Sequence, residues 1–336
     1  LCMVSELEVQ AAAAALWPAL RDGLIVPLND AYKFAHTPEK LAQARYRFLH
    51  DRVQQAAYSL TPEQQRQQLQ LRTGRLLLAH TPPSQLEERL FAILEQLNHA
   101  LPLIDNAAER AQLLALNLRG GIKAKAASAY STAVSLLRVA KSLLMADAWQ
   151  QLPEQTLSLY KELAEAEYLS GDFAAAEALY PQGLAGAADA QAKVTLCLVQ
   201  AEQYLIQGRF ADSFPVLRFA LELLGGSFPA SDEEAGQLFP QEFEKAEQLL
   251  ARQSHAALLK APEMTQPEHL LQMRIYWALS YATYQTGQFR AFVVDACRLV
   301  QTTLQYGQCD ISCIAYVAYV TAMSAMGKPY PLCYQM

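Results

Sequence analysis

The sequence predicts a mainly α-helical chain, in which a short unit of helices and one strand pair precedes an array of helical repeats. Three observations carry this. The 336 residues are 52% hydrophobic and 18% charged, with only 14 Gly and 16 Pro, a composition suited to long helices. Gly-x-Phe triplets recur between helical runs, at Gly171 and Phe173, Gly208 and Phe210, and Gly287 and Phe289. Strand-like stretches are confined to LIVPL (24–28) and YRFLH (46–50). The composition excludes a disordered chain and a fibre, and the length fits two domains or one extended array.

Residues 5–22 predict a helix with a break near Pro18, because proline ends a helix or starts one at its first turn. Gly23 stops it, and Asn29-Asp30 is a turn signal after the first strand. The second strand follows a loop containing Pro38. Helices plus a strand pair describe a small winged-helix unit. From Asp51 the chain reads as helix. Thr61 is the expected cap of the next helix, with Pro62 in its first turn and Gln64 closing a capping box. Ser84 with Glu87, and Asn106 with Glu109, repeat that pattern. Leu86, Leu90, Ile93, Leu94 and Leu97 share one helical face.

The repeat signal follows. Gly121 precedes Ala126, Tyr130 and Ala133; Gly171 precedes Ala176, Tyr180 and Gly183. Gly208 precedes Ser213, Leu217 and Ala220, Gly287 precedes Phe292, Ala296 and Leu299, and Gly327 comes late. The spacings are 50, 37, 79 and 40 residues, and 79 fits two units with a degenerate repeat between Gly226 and Leu270. In each unit glycine takes the turn, the phenylalanine packs back over it, and small and large residues interlock the helices. The pattern resembles tetratricopeptide repeats, whose period is about 34 residues. It implies a winged-helix unit over 1–80 and a TPR-like α-helical solenoid over 81–336, truncated at its C-terminus. A helical bundle without superhelical order is the rival arrangement. Tyr168, Tyr204, Tyr281 and Tyr284 belong either to a concave surface or to the core between repeats, and the core is favoured.

The sequence carries few motifs that bear chemistry. No GxxxxGK[ST], GxGxxG or HExxH occurs, so neither a catalytic residue nor a cofactor is expected in this chain. Cys309 and Cys313 stand at i, i+4, but zinc would need two further ligands, and His255 and His269 sit in ordinary helical contexts. No metal is expected. Glu165, Glu167 and Asp232-Glu233-Glu234 read as solvated faces. Net charge is −6, with eight Lys/Arg against three Asp/Glu over 31–80 and five against sixteen over 154–250. The basic stretch raises nucleic-acid binding. The candidate recognition helix VQAAAAALWPALRD is nearly all apolar and looks built to pack, so no nucleic acid is expected. The six cysteines include no CxxC, no secretory signal is present, and the uncharged stretch 311–326 is too short to span a membrane. A cytoplasmic protein is expected.

Residues 48–58 read FLHDRVQQAAY. Locally, His50 ends a strand and Asp51 caps a helix. In a wider frame, AALWPALRDGLIVPLNDAYKF, YRFLHDRVQQAAYSLTPEQQRQQLQLRTGRLLL and LAEAEYLSGDFAAAEALY resemble a region of large bacterial multidomain signalling proteins. In these a Ser/Thr kinase-like domain precedes a STAND-class AAA-type ATPase domain, a helical repeat region follows, and a GAF domain and histidine kinase often come last. The resemblance implies that 1–80 is the winged-helix end of the ATPase module. Leu49-His50-Asp51 matches the hydrophobic-His-Asp motif whose histidine approaches bound ADP in such ATPases. It implies a nucleotide-sensing role for His50, with Asp51 fixing its geometry and Arg52 a weaker phosphate contact. ATP or ADP then belongs to the parent protein. The expected function is a non-catalytic regulatory, sensor and interaction region. It couples a protein partner or effector on the repeats to the upstream ATPase and downstream kinase domains. A freestanding TPR-like adaptor without a nucleotide role is the alternative, and an enzyme with an unrecognised site is the third reading.

Overall fold

The computed structural model describes residues 7–33, 43–258 and 260–327. The loop around Pro38 and the terminal Cys2 and Cys333 lie outside the described residues. The fold is mainly helical. Its residues divide into two compact units, 1–123 with 139–143, and 124–138 with 144–336.

The first unit opens with α1 (Val9–Arg21). The break expected at Pro18 does not occur. Proline removes one helical N–H, but the carbonyl it frees belongs to exposed Ala14, and the Asp22 N–H still reaches the Pro18 carbonyl at 2.9 Å. Strands β1 (Ile25–Pro27) and β2 (Tyr46–Phe48) pair antiparallel with Val26 opposite Arg47. Then come α2 (Asp51–Leu60), α3 (Glu63–Ala79), α4 (Leu86–His99) and α5 (Ala107–Ala126).

Leu90, Ile93, Leu94 and Leu97 are the buried face of α4, as the periodicity predicts. Buried Asn117 on α5 exchanges hydrogen bonds with Asn98 at 2.8 and 2.9 Å. By contrast α1 buries only Ala12, and Trp17 stands exposed.

Two of the three expected caps are corrected. Thr61 does not cap α3; its hydroxyl donates back to the Ala57 carbonyl, and Pro62 precedes the helix without a side-chain cap. Ser84 falls inside the short 3-10 turn Pro83–Gln85. Two prolines hold these approaches extended, and pre-set backbone replaces the side-chain cap. Asn106 does cap, accepting from the Ala108 and Glu109 N–H groups at 2.9 and 3.1 Å. Glu109 itself turns to a bidentate pair with Arg75, both contacts 2.8 Å.

The second unit holds helix pairs: α7 (Pro153–Leu169) with α8 (Phe173–Gly186), α9 (Ala190–Ile206) with α10 (Phe210–Leu223), and α12 (Pro267–Gln285) with α13 (Phe289–Tyr306). The α6 helix (Tyr130–Ser142) precedes them, α11 (Asp232–Leu250) intervenes, and α14 (Ser312–Ala325) packs on α13.

Gly171, Gly208 and Gly287 take positive φ of 92°, 72° and 70°, and Gly327 does the same at 72°. After each of the first three, the next N–H closes a six-to-one bond onto the helix just ended, such as Arg209 to Tyr204 O at 2.8 Å. Gly121 is corrected. It lies inside α5, and the same closure is made around Ser128 at φ 58°, with Ala129 N–H bonded to Ala124 O at 2.9 Å. A serine tolerates this conformation at a cost, so a glycine search misses the turn.

The spacing of 79 is also corrected. Instead of a degenerate two-helix repeat, α9 and α10 pack directly on α12, and α11 is an insertion laid along α13. Its start is a built junction. Ser231 Oγ caps α11 by accepting from the Glu234 N–H at 3.2 Å, the Glu234 carboxylate accepts from the Ala230 N–H at 2.6 Å, and Asp232 Oδ1 accepts from the Arg290 and Ala291 N–H groups at 2.8 and 3.0 Å. One carboxylate near the start of α11 therefore caps α13.

Candidate functional site

The resemblance singled out His50, Asp51 and Arg52, and all three are exposed at the junction of β2 and α2. His50, not Asp51, is the cap: its Nδ1 accepts from the Arg52 N–H at 3.2 Å. In the neutral ring the proton then sits on Nε2, a donor turned away from the helix end. Asp51 is the first helical residue, where a negative charge complements the helix dipole. Arg52 is exposed on the same turn.

The turn phenylalanines have separate tasks. Phe173 meets Tyr168 across its turn in a tilted contact at 5.2 Å. Phe210 instead meets Tyr281 edge-on at 6.0 Å, and Phe289 meets Phe292 of its own helix at 6.3 Å.

The tyrosines divide. Tyr204 is buried, Tyr168 half-buried, and Tyr281 and Tyr284 are exposed. With Arg274 and Trp277 these last two form a stripe on α12, one residue per turn. Facing it on α9 are Leu205 and Ile206. Trp277 is 41% exposed, Tyr281 45% and Ile206 75%, so a large apolar surface meets water. Between the two helices lies a groove of 490 Å³. Arg274 clamps it through an ion pair with Glu202 at 2.6 Å.

Arg274 also closes a neighbouring depression of 640 Å³, lined by Trp149, Glu154 and Leu157 on one side and Asp189, Leu270 and Leu271 on the other. Trp149 packs on Tyr160 at 5.4 Å and fills the space beside Gly186, where a Cβ would lie 2.0 Å from its Nε1. Glycine there is required by the close approach of the indole.

The carboxylates of the acidic segment are partly structural. Glu167 is corrected from a solvated face. Its side chain is 3% exposed and takes a bidentate pair from Arg138 at 2.7 and 2.9 Å. Lys125 lies between Glu162 and Glu165. Among the described residues no group of three or more His, Cys, Asp or Glu is placed to hold a metal ion. Cys197 and Cys297 are buried thiols whose pKa burial pushes up to about 12, Cys309 is half-buried, and Cys313 is exposed. His269 stacks on Tyr306. No described helix is long and apolar enough to cross a membrane.

Sequence reasoning missed Trp149, Arg274, Trp277 and Ile206. The stripe was present at spacings of three and four, but α12 is apolar on its buried side too. A helix apolar all round gives no periodic contrast.

This chain is similar to a hybrid signal transduction histidine kinase G of Dictyostelium discoideum, 26% identical over 192 residues. The match covers 50% of this chain and 6% of that protein. No family model matches the chain, and no solved structure matches it.

Proposed function

We propose that this chain is a non-catalytic regulatory and protein-interaction region of a nucleotide-dependent signalling protein. In this reading 1–80 is the winged-helix end of an ATPase module. The following helices are a TPR-like sensor array, and the protein works in the cytoplasm. A partner or effector on the array biases the upstream ATPase switch and the downstream kinase output.

The observation that carries the reading is the exposed groove of Trp277, Tyr281 and Ile206, bridged by the Arg274–Glu202 ion pair. Tryptophan and tyrosine are the side chains that concentrate binding energy at protein interfaces. The similarity to a signalling histidine kinase supports the setting. The exposed His50, whose Nε2 has no hydrogen-bond partner among the described residues, supports a contact with a phosphate supplied by another domain.

The test is made in the full-length signalling polypeptide. Trp277→Ala and Tyr281→Ala should change kinase output in cells without changing the melting temperature. His50→Ala should shorten retention of bound ADP. Unchanged output in both aromatic variants refutes the sensor role. Unchanged ADP retention, with the fold intact, leaves the freestanding adaptor.

A further inference from the structure

The two depressions share Arg274 and lie in sequence along the same helix, and together they make a trough. Along α12 their lining runs from Pro267 to Tyr281, about 21 Å at 1.5 Å per residue. Its ends differ in chemistry. The far end is apolar and aromatic, with Leu205, Ile206, Trp277 and Tyr281. In the middle, Arg274 and Glu202 neutralise one another. At the near end stand the exposed carboxylates of Glu154 and Asp189. Among the described residues neither makes an ion pair. Asp189 also caps α9 by accepting from the Ala192 N–H at 2.7 Å, which fixes its carboxylate in place. The trough is thus apolar with a net acidic rim, and its Glu154, Asp189 and Glu202 side belongs to the segment 154–250, where sixteen acidic residues stand against five basic ones.

We propose that this trough binds a basic amphipathic helix of about 14 residues, the length that spans it. Large apolar side chains at i, i+3/i+4 and i+7 seat on Trp277, Tyr281 and Ile206. A lysine or arginine near one end meets Glu154 and Asp189. The ridges of α9 and α12 supply the two walls between which a third helix packs. The inference rests on the reading of this chain as an interaction region and adds the chemistry of the partner.

The test uses the whole chain and 14-residue amphipathic peptides of identical pattern, one built from leucine and lysine, the other from leucine and glutamate. Binding is followed by calorimetry. The Leu/Lys peptide should bind about tenfold or more tighter than the Leu/Glu peptide. Trp277→Ala should weaken it about tenfold or more. Glu154→Gln should weaken it a few-fold and flatten its salt dependence. Trp277 is a surface side chain, so its variant should melt as the parent does. If it does not, Tyr281→Ala gives the same readout.

Equal binding of both peptides, undiminished binding in the aromatic variants, or no binding of the Leu/Lys peptide overturns the proposal. If kinase output responds to the aromatic substitutions while the Leu/Lys peptide does not bind, the partner chemistry is wrong and the interaction region stands. If neither responds, both fail.

Discussion

Replacing Asp295 with asparagine should remove a pH-dependent destabilisation built into α13. Asp295 is 0% exposed, and among the described residues neither carboxylate oxygen has a hydrogen-bond partner. Burial raises its pKa well above the ordinary carboxylate value, and the opposing effect of Arg298 is smaller. Arg298 is turned elsewhere, donating to the Ser227 carbonyl at 2.5 Å and approaching Glu242 at 3.7 Å.

The sign follows from proton counting. The unfolded carboxyl ionises near pH 4, while the folded one keeps its proton to higher pH. The native state therefore binds more protons over that window. Stability falls as pH rises from about 4 towards the folded pKa, by up to about 1.4 kcal/mol per pH unit. Asp295→Asn keeps the shape and lacks the ionisation, so this slope disappears. Asp295→Ala also removes two orphaned oxygens. A buried polar group without a partner costs about 1–3 kcal/mol, and alanine favours the helix by a further ~0.5 kcal/mol. Against a small cavity term, a net gain of about 1–2 kcal/mol at pH 7 is expected. Urea unfolding of the second unit, followed by tryptophan fluorescence between pH 4 and 8, measures both. A slope in Asp295→Asn equal to that of the parent, or a less stable Asp295→Ala at pH 7, refutes the reasoning.

Other outcomes follow from single contacts. Gly186→Ala drives a methyl into Trp149 and should cost about 1–3 kcal/mol while shifting the indole emission; an unchanged spectrum and melt would contradict the packing. Ser128→Gly should stabilise by about 1 kcal/mol, since it relieves a left-handed non-glycine residue, and Gly208→Ala should cost a similar amount in the same calorimetric scan. His50→Ala should lower hydrogen-exchange protection at the start of α2, because its ring satisfies the Arg52 N–H; equal protection would show that the cap contributes nothing.

Local rules served well where one residue decides a conformation. Gly171, Gly208 and Gly287 were legible as turns because only the left-handed backbone closes that junction cheaply. The strand pair was legible at 24–28 and 46–50, since β-favouring residues occur together nowhere else outside helical patterns. The α4 face was legible because its opposite side is polar. The candidate site was legible only in part. The helical spacing of Tyr281 and Tyr284 suits the core as well as a surface, and Arg274, Trp277 and Ile206 stand out by no local signal.

The sequence by itself determined the helical class, the helix-pair turns marked by glycine, and the charge division between basic 31–80 and acidic 154–250. These depend on backbone propensity and composition, which are properties of neighbours in the chain. Tertiary structure alone decided that α11 inserts beside α13 instead of forming a repeat, and that Ser128 makes a turn that Gly121 does not. It also decided which face of α12 meets water. Apolar residues surround that helix, so hydrophobicity ranks its faces equally. The approach of α9, α10 and α13 is what buries one side and leaves Trp277 and Tyr281 exposed on the other.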